Sequence, residues 1–435
     1  MSQKIKGLTL FALTMIAIGS TIGSGIFKTP TDISKAVSDP TEMVGLWILG
    51  GVVSLIGALV FAELGSRFPQ SGGLYTYLNK SYGALPAFLY GWCLLTVVSS
   101  GTIAALILVF ADYAQYFIPY SNEMKPVVAA LAIVVLTLFN TFGIKSSEWF
   151  ANISTVLKIV GIYGLLILAL FLGQREMFDA AGAVVIEKSA SGGPNYAMAF
   201  VGVLWSYTGW HYASFVAGDA INPKRNVPLA MIIGTSVVTL TYVLCNLGYL
   251  KVLDVSTIQN SNTLAADALE AVIPNSGIWV SALIAISVFG CAGLYILATP
   301  RVIHQMAEEG LFFKAFAKKN EKFGVPLNAI LLQSVWAIFL IFIWENFENL
   351  YTYVTITEWL FLLAACFGIF IVRRKMKGQE VGFKTPLYPI LPIIFCVVVA
   401  WFISMNAISE DPAAYFGLMV IPIGVVLYFV FRKGK

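Results

Sequence analysis

Twelve stretches of apolar residues, each about 20 residues or a little longer, run the length of this chain, near 8–30, 44–68, 86–118, 126–144, 149–172, 196–217, 228–252, 277–303, 327–346, 348–372, 386–407 and 412–431. Coiled as helices, each reaches across the roughly 30 Å of hydrocarbon in a bilayer. The loops between them are mostly short and polar and leave no room for a water-soluble domain. The chain is 58% hydrophobic and only 11% charged, against roughly 45–50% and about 25% in soluble domains. No soluble core could bury that much apolar surface, so lipid is the solvent. The expectation is an all-α polytopic membrane protein of 12 transmembrane helices, one transmembrane domain over 1–435.

Composition excludes several function classes. A formal net charge of +4 is too small for nucleic-acid binding, and no metal-ligand spacing occurs, so neither metal nor cofactor is expected. Cys93, Cys245, Cys291, Cys366 and Cys396 all lie inside apolar runs, which argues against a disulfide framework. Lys4 and Lys6 precede the first run without a small-residue cleavage site, so that run reads as the first span rather than a cleaved signal. Lys and Arg sort strongly between alternate loops. The side bearing the N-terminus collects 20 of the 27, including Arg67, Lys224, Arg225, Arg301, Lys314, Arg373, Arg374 and Arg432. By the positive-inside rule that side faces the cytoplasm. Both termini are then cytoplasmic, the span count is even, and the location is the plasma (inner) membrane.

Two spans are interrupted. The first carries Gly19-Ser20-Thr21-Ile22-Gly23-Ser24-Gly25, and the sixth carries Trp205-Ser206-Tyr207-Thr208-Gly209-Trp210 at its middle. A glycine costs about 1 kcal/mol relative to alanine inside a helix, and several together favour unwinding. Backbone that leaves the helix at membrane depth persists only where protein surrounds it or where it lines a cavity. Glycines also let helices pack closely, which is the plainer explanation. Each break, however, stands at the head of a five-span block. That points to a 5+5 inverted repeat, about 8–172 and about 196–372, with additional helices at about 386–431.

A helix restarting at Ser24-Gly25 turns free N–H groups and the positive end of its dipole toward the midplane. Such ends bind anions; Ser24 adds a hydroxyl, and Gly23 and Gly25 let a ligand touch the backbone. Half-helices ending near Thr21 and Thr208 present free carbonyls and negative dipole ends, which suit an ammonium. A carboxylate site and an ammonium site a few ångströms apart describe an α-amino-acid zwitterion. Ile26, Tyr207 and Gly209 flank the two breaks and complete the expected contact set with Trp205. Trp205 is expected to close over the ligand as a gate, whereas Tyr212 and Phe215 read as packing aromatics. The bulk of Trp205 and Trp210 argues for small side chains. His211 adjoins the break and reads either as a ligand contact or as a packed neutral histidine; His304 reads as structural.

Lys158 lies deep in the fifth span, and an intramembrane charge is a functional hypothesis by default; snorkelling to the interface is the alternative. An ammonium facing the first and eighth spans could replace a bound Na⁺ and tie the unwound segment down. Asp112, near the outer interface, reads as solvated. Glu358 sits deeper, with no partner visible in the sequence.

Gly23-Ser24-Gly25-Ile26-Phe27, Ala62-Glu63-Leu64-Gly65 and Ser71-Gly72-Gly73 together resemble the amino acid–polyamine–organocation (APC) superfamily. Within it, Tyr207-Thr208-Gly209-Trp210, Asn222-Pro223-Lys224-Arg225-Asn226-Val227-Pro228 and Ala298-Thr299-Pro300-Arg301 resemble bacterial members of the L-amino-acid transporter (LAT) family. The resemblance implies a LeuT-like fold and exchange of neutral amino acids, with no enzymatic activity. Carried over by position, it sets the substrate carboxylate on Ser24 and Gly25 and the amine on carbonyls of Thr21, Trp205 and Thr208. It makes Trp205 the gate and Lys158 the lysine of sodium-independent members. Residues 118–125 hold no cysteine, so no disulfide-linked heavy chain is expected, and His211 replaces the asparagine of mammalian relatives. The combined reading is sodium-independent antiport of small neutral L-amino acids such as Ala, Ser, Thr or Cys by alternating access. The alternatives are a cationic amino acid or polyamine antiporter of the same superfamily and, less well supported, a non-transporting amino-acid sensor.

Overall fold

The computed structural model describes residues 7–141, 144–179, 184–186, 188, 192–320, 323–344, 347–408 and 412–433. Several helices start at a side-chain cap. Thr9 accepts from Ala12 N at 3.2 Å ahead of the first helix. Asp39 accepts from Thr41 N at 2.8 Å and Glu42 N at 3.1 Å ahead of Pro40 at the first helical position. Asn195 accepts from Met198 N at 3.2 Å ahead of the sixth span. Each cap satisfies an N–H that the helix itself leaves free.

Eleven helices among the described residues are long and apolar enough to cross a membrane. The sixth crossing completes the twelve: its break divides it into pieces of 12 and 10 residues, each too short to span alone. The first span is broken as well, into Leu10–Thr21 and Gly25–Ala36. The sixth consists of helix Tyr196–Tyr207, an extended Thr208, Gly209 and a 3₁₀ segment Trp210–Asp219. Gly209 has φ +129°, and a Cβ there would stand 2.6 Å from Ser20 O. Only glycine permits both the left-handed turn and the backbone contact between the two breaks.

The spans pack as two groups. In one, the second span (Pro40–Arg67) lies along the seventh (Pro223–Val252). The half-helix Leu10–Thr21 packs on the seventh span and on Trp210–Asp219, and Gly25–Ala36 packs on Tyr196–Tyr207. In the other, the third span (Ala84–Ala114), the fourth (Lys125–Thr141), the eighth (Gly277–Glu308) and the ninth (Leu327–Trp344) pack on one another. A closed polar network ties this second group together. Ser99 and Thr299 hydroxyls lie 2.6 Å apart, Thr299 donates to Gln333 Oε1 at 2.9 Å, and Gln333 Nε2 donates to Ser99 at 3.0 Å. The fifth span (Ile144–Leu172) and the tenth (Phe347–Lys375) touch both groups.

One buried carboxylate fastens the tenth span to the second. Glu63, without solvent exposure, accepts from Arg67 at 2.7 and 2.9 Å, from Arg373 at 2.5 and 2.9 Å, and from Thr385 N at 2.8 Å. The Arg373 guanidinium also lies 3.6 Å over the Tyr388 ring, which anchors the approach to the eleventh span (Ile390–Ile408). The face carrying these arginines is called the basic face below.

Candidate functional site

The two breaks meet. At the first, Ile22 leaves the helix with ψ 84° and the chain re-enters it at Gly25. Ser24, Gly25 and Ile26 therefore carry N–H groups that no carbonyl one turn earlier can satisfy. The Ser24 hydroxyl is buried with no hydrogen-bond partner in the protein. A Cβ on Gly25 would fall 2.7 Å from Ser206 Cα, so the restart of the first span rests directly on the sixth.

Between the breaks lies a cavity. Ser20, Thr21, Gly23, Ser24 and Gly25 form one wall and Trp205 and Thr208 a second; Thr102 and Leu106 of the third span with Cys291 and Tyr295 of the eighth complete it. The volume open to the centre of a water-sized sphere is about 20 Å³, room for about one water. Little free space therefore lies between the two breaks. On one side the Trp205 ring is backed by Phe347 and Tyr351, each 6.0 Å away. On the other side Tyr212 stacks on Phe215 at 4.9 Å and meets Tyr295 edge-on at 5.0 Å. Beyond that stack a polar vestibule of about 630 Å³ lies under the basic face, lined in part by Phe215, Asp219, Arg301 and Gln305.

Of the nine residues expected to contact ligand, Thr21, Gly23, Ser24, Gly25, Trp205 and Thr208 line this cavity, whereas Ile26, Tyr207 and Gly209 do not. Ile26 is buried and offers its carbonyl to Tyr249 at 3.2 Å. Tyr207 turns away, donates to Trp47 O at 2.9 Å and packs against Tyr242 at 5.2 Å. Gly209 serves the turn itself. The carbonyls expected to be free are partly engaged: Thr21 O accepts from Gly23 N at 2.9 Å and Tyr242 Oη at 3.0 Å, and Trp205 O accepts from Thr208 N at 3.1 Å.

Lys158 is buried, with its ammonium at the unwound stretch of the first span. Nζ donates to Gly19 O at 3.1 Å and to Ile22 O, and Cys291 Sγ lies 3.6 Å from the same Gly19 oxygen. The cation thus sits on the negative end of half-helix Leu10–Thr21, where dipole and unpaired carbonyls offset part of its desolvation.

Three expectations are corrected. Trp210 lies off the cavity, fully buried and 5.1 Å from Phe61, so it sets no limit on ligand size. Asp112 is not solvated: it pairs with Lys125 at 2.5 Å and Lys28 at 3.8 Å, largely shielded. Glu358 is not alone: Tyr212 Oη donates to its Oε1 at 3.4 Å, and His211 Nε2 lies 3.1 Å from the same oxygen, close by but outside hydrogen-bond geometry.

Residues 8–429 match the family described as amino acid permease. The chain belongs to the amino acid permease family. Relatives span nearly all of this permease: the serine/threonine exchanger SteT of Bacillus subtilis is 29% identical over 98% of this chain and 96% of its own length. The human b(0,+)-type amino acid transporter 1 is 30% identical over 99% and 88%. The human cystine/glutamate transporter is 27% identical over 99% and 86%. This permease is thus a multi-pass amino acid transporter of the LAT branch of the APC superfamily, with the LeuT-like twelve-span fold, and not an enzyme. Sequence reasoning missed Thr102, Leu106, Cys291, Tyr295, Phe347 and Tyr351. Thr102 and Leu106 share a helix face at the i, i+4 spacing, but the third span is buried on nearly every side, so periodicity cannot single out one face.

Proposed function

We propose that this permease exchanges small neutral L-amino acids such as alanine, serine, threonine or cysteine across the plasma membrane, without sodium, by alternating access. One observation carries the reading: a positive helix end at Ser24-Gly25 and a second broken helix face one small cavity that Trp205 lines. The zwitterion's carboxylate meets the N–H groups at Ser24 and Gly25, and its ammonium meets the remaining carbonyl lone pairs at Thr21, Trp205 and Thr208. Trp205 occludes the bound ligand. Lys158 supplies the positive charge that a sodium ion would otherwise bring to the unwound segment. The serine/threonine exchange named for the Bacillus subtilis relative supports small hydroxylated substrates. The repeats are taken as 8–172 and 196–372, the basic face and both termini as cytoplasmic, and a disulfide-linked heavy chain as unnecessary.

The cationic-substrate reading needs a carboxylate facing the ligand. Glu358 is off the cavity wall and beside His211, which weighs against it. The test is uptake of labelled serine into proteoliposomes preloaded with serine or left empty, with and without a sodium gradient. Strong stimulation by internal serine and indifference to sodium are expected. Sodium-driven accumulation in empty vesicles would refute exchange, and inhibition by arginine but not by alanine would favour the cationic reading.

A further inference from the structure

His211 and Glu358 are the most deeply buried pair of ionisable groups that the transport reading leaves without a role. Their side chains are 0% and 1% exposed, with Nε2 3.1 Å from Oε1. The pair joins two elements, the 3₁₀ half of the sixth span and the middle of the tenth. It also sits inside the plug between cavity and vestibule. The His211 ring is 4.6 Å from Tyr212 and 6.0 Å from Phe215. Tyr295, which Tyr212 touches, lines the cavity, and Phe215 lines the vestibule.

The surroundings fix the pair's proton count. Tyr90 of the third span, Tyr212 of the sixth and Tyr295 of the eighth lie within reach of Glu358's charge. The second span offers the Phe61 ring at 6.2 Å from His211, and Glu63 nearby is committed to Arg67 and Arg373. Helix Gly73–Tyr82 offers Tyr77, against Phe61. Among the described residues no lysine or arginine pairs with Glu358. An imidazole and a carboxylate with no proton between them would leave one uncompensated negative charge in the membrane interior, a state the desolvation cost forbids. With one proton, whichever atom holds it, the pair is neutral.

We propose that the His211–Glu358 pair is a proton-binding site and that closing the permease toward its basic face requires one proton there. On closing, a proton passes from vestibule water to the pair as the sixth span meets the tenth. On opening, the groups part, water reaches them, and the same proton returns to that water. Closure is therefore favoured at low pH and opposed at high pH.

This inference rests on the exchange reading above, and the experiment separates the two. Serine exchange is measured in proteoliposomes with equal pH on both sides, stepped from about pH 5 to about pH 8.5. In the wild type, exchange is expected to fall as the pH rises, by up to tenfold per pH unit once the proton is lost. Glu358→Gln, which mimics the protonated acid in shape and charge, should lose the fall at high pH, because the neutral pair no longer needs a proton to close. His211→Asn leaves the carboxylate to hold the proton alone, a weaker base than imidazole, so its fall should move toward acid. A flat wild-type profile, or a Glu358→Gln variant that keeps the wild-type fall, overturns the proposal. If Glu358→Gln does not exchange, His211→Asn decides: an acid shift supports the site, and an unshifted or missing fall overturns it. Folded wild-type protein that exchanges no serine at any pH refutes the exchange reading on which the site depends.

Discussion

Lys158 and Trp205 were both visible as singular residues in the chain, the first as a charge in an apolar run and the second as an aromatic at a break. For Lys158 the sequence points to the first and eighth spans as neighbours; the aromatics beside Trp205 carry no such signal. The ammonium of Lys158 holds Gly19 O and Ile22 O, and charge-assisted hydrogen bonds of this kind are worth about 1.5–3 kcal/mol each. Lys158→Ala is expected to slow serine exchange roughly 10- to 100-fold while serine still raises the melting temperature of the purified protein; unchanged turnover would remove Lys158 from the mechanism. Trp205 lines the cavity and packs on Phe347 and Tyr351. Trp205→Ala opens that side, so exchange of leucine should rise relative to alanine, and an unchanged selectivity ratio in competition uptake would end the gate assignment. Glu358 could not be assigned from sequence because its partner lies 147 positions earlier in the chain (358 − 211), and no pattern of local residues encodes that proximity.

At the scale of elements, the breaks were legible because their cause is local. Clustered glycines in an apolar run weaken the helix wherever it packs, and Thr9, Asp39 and Asn195 mark helix starts by capping chemistry that reaches only two or three residues. How closely the breaks approach is not local. Gly25 rests on Ser206 and Gly209 on Ser20. Gly25→Ala and Gly209→Ala should each abolish most exchange. For Gly209, the left-handed backbone and the 2.6 Å approach together should also cost about 1–3 kcal/mol of stability. Radiolabelled uptake and thermal unfolding in detergent check both, and a Gly209→Ala variant with wild-type transport would show that the breaks do not need to touch. Tyr207 and Ile26 illustrate the limit of reading an element from its sequence. They sit in the right segments, yet a helix presents its side chains around a full circle, and only neighbours decide which face meets the cavity.

Across the whole molecule, the two packed groups are joined by a few polar fasteners in an otherwise apolar interior. Glu63 is the most heavily used of them, since removing its charge leaves Arg67 and Arg373 without their shared carboxylate. Breaking a buried pair from one side costs about 3–5 kcal/mol. Glu63→Gln should therefore lower the melting temperature markedly without changing relative substrate preference; a stability close to wild type would mean that water reaches these arginines. The sequence by itself determined the solvent, the number of crossings and the two places where helices give way, because each follows from hydrophobic run length or from the intrinsic cost of glycine within one segment. The tertiary structure alone decided which residues face the cavity, how small it is, and that His211 meets Glu358. Those depend on side chains brought together from distant segments, where the price of burying a charge or a polar group is set by its neighbours in space.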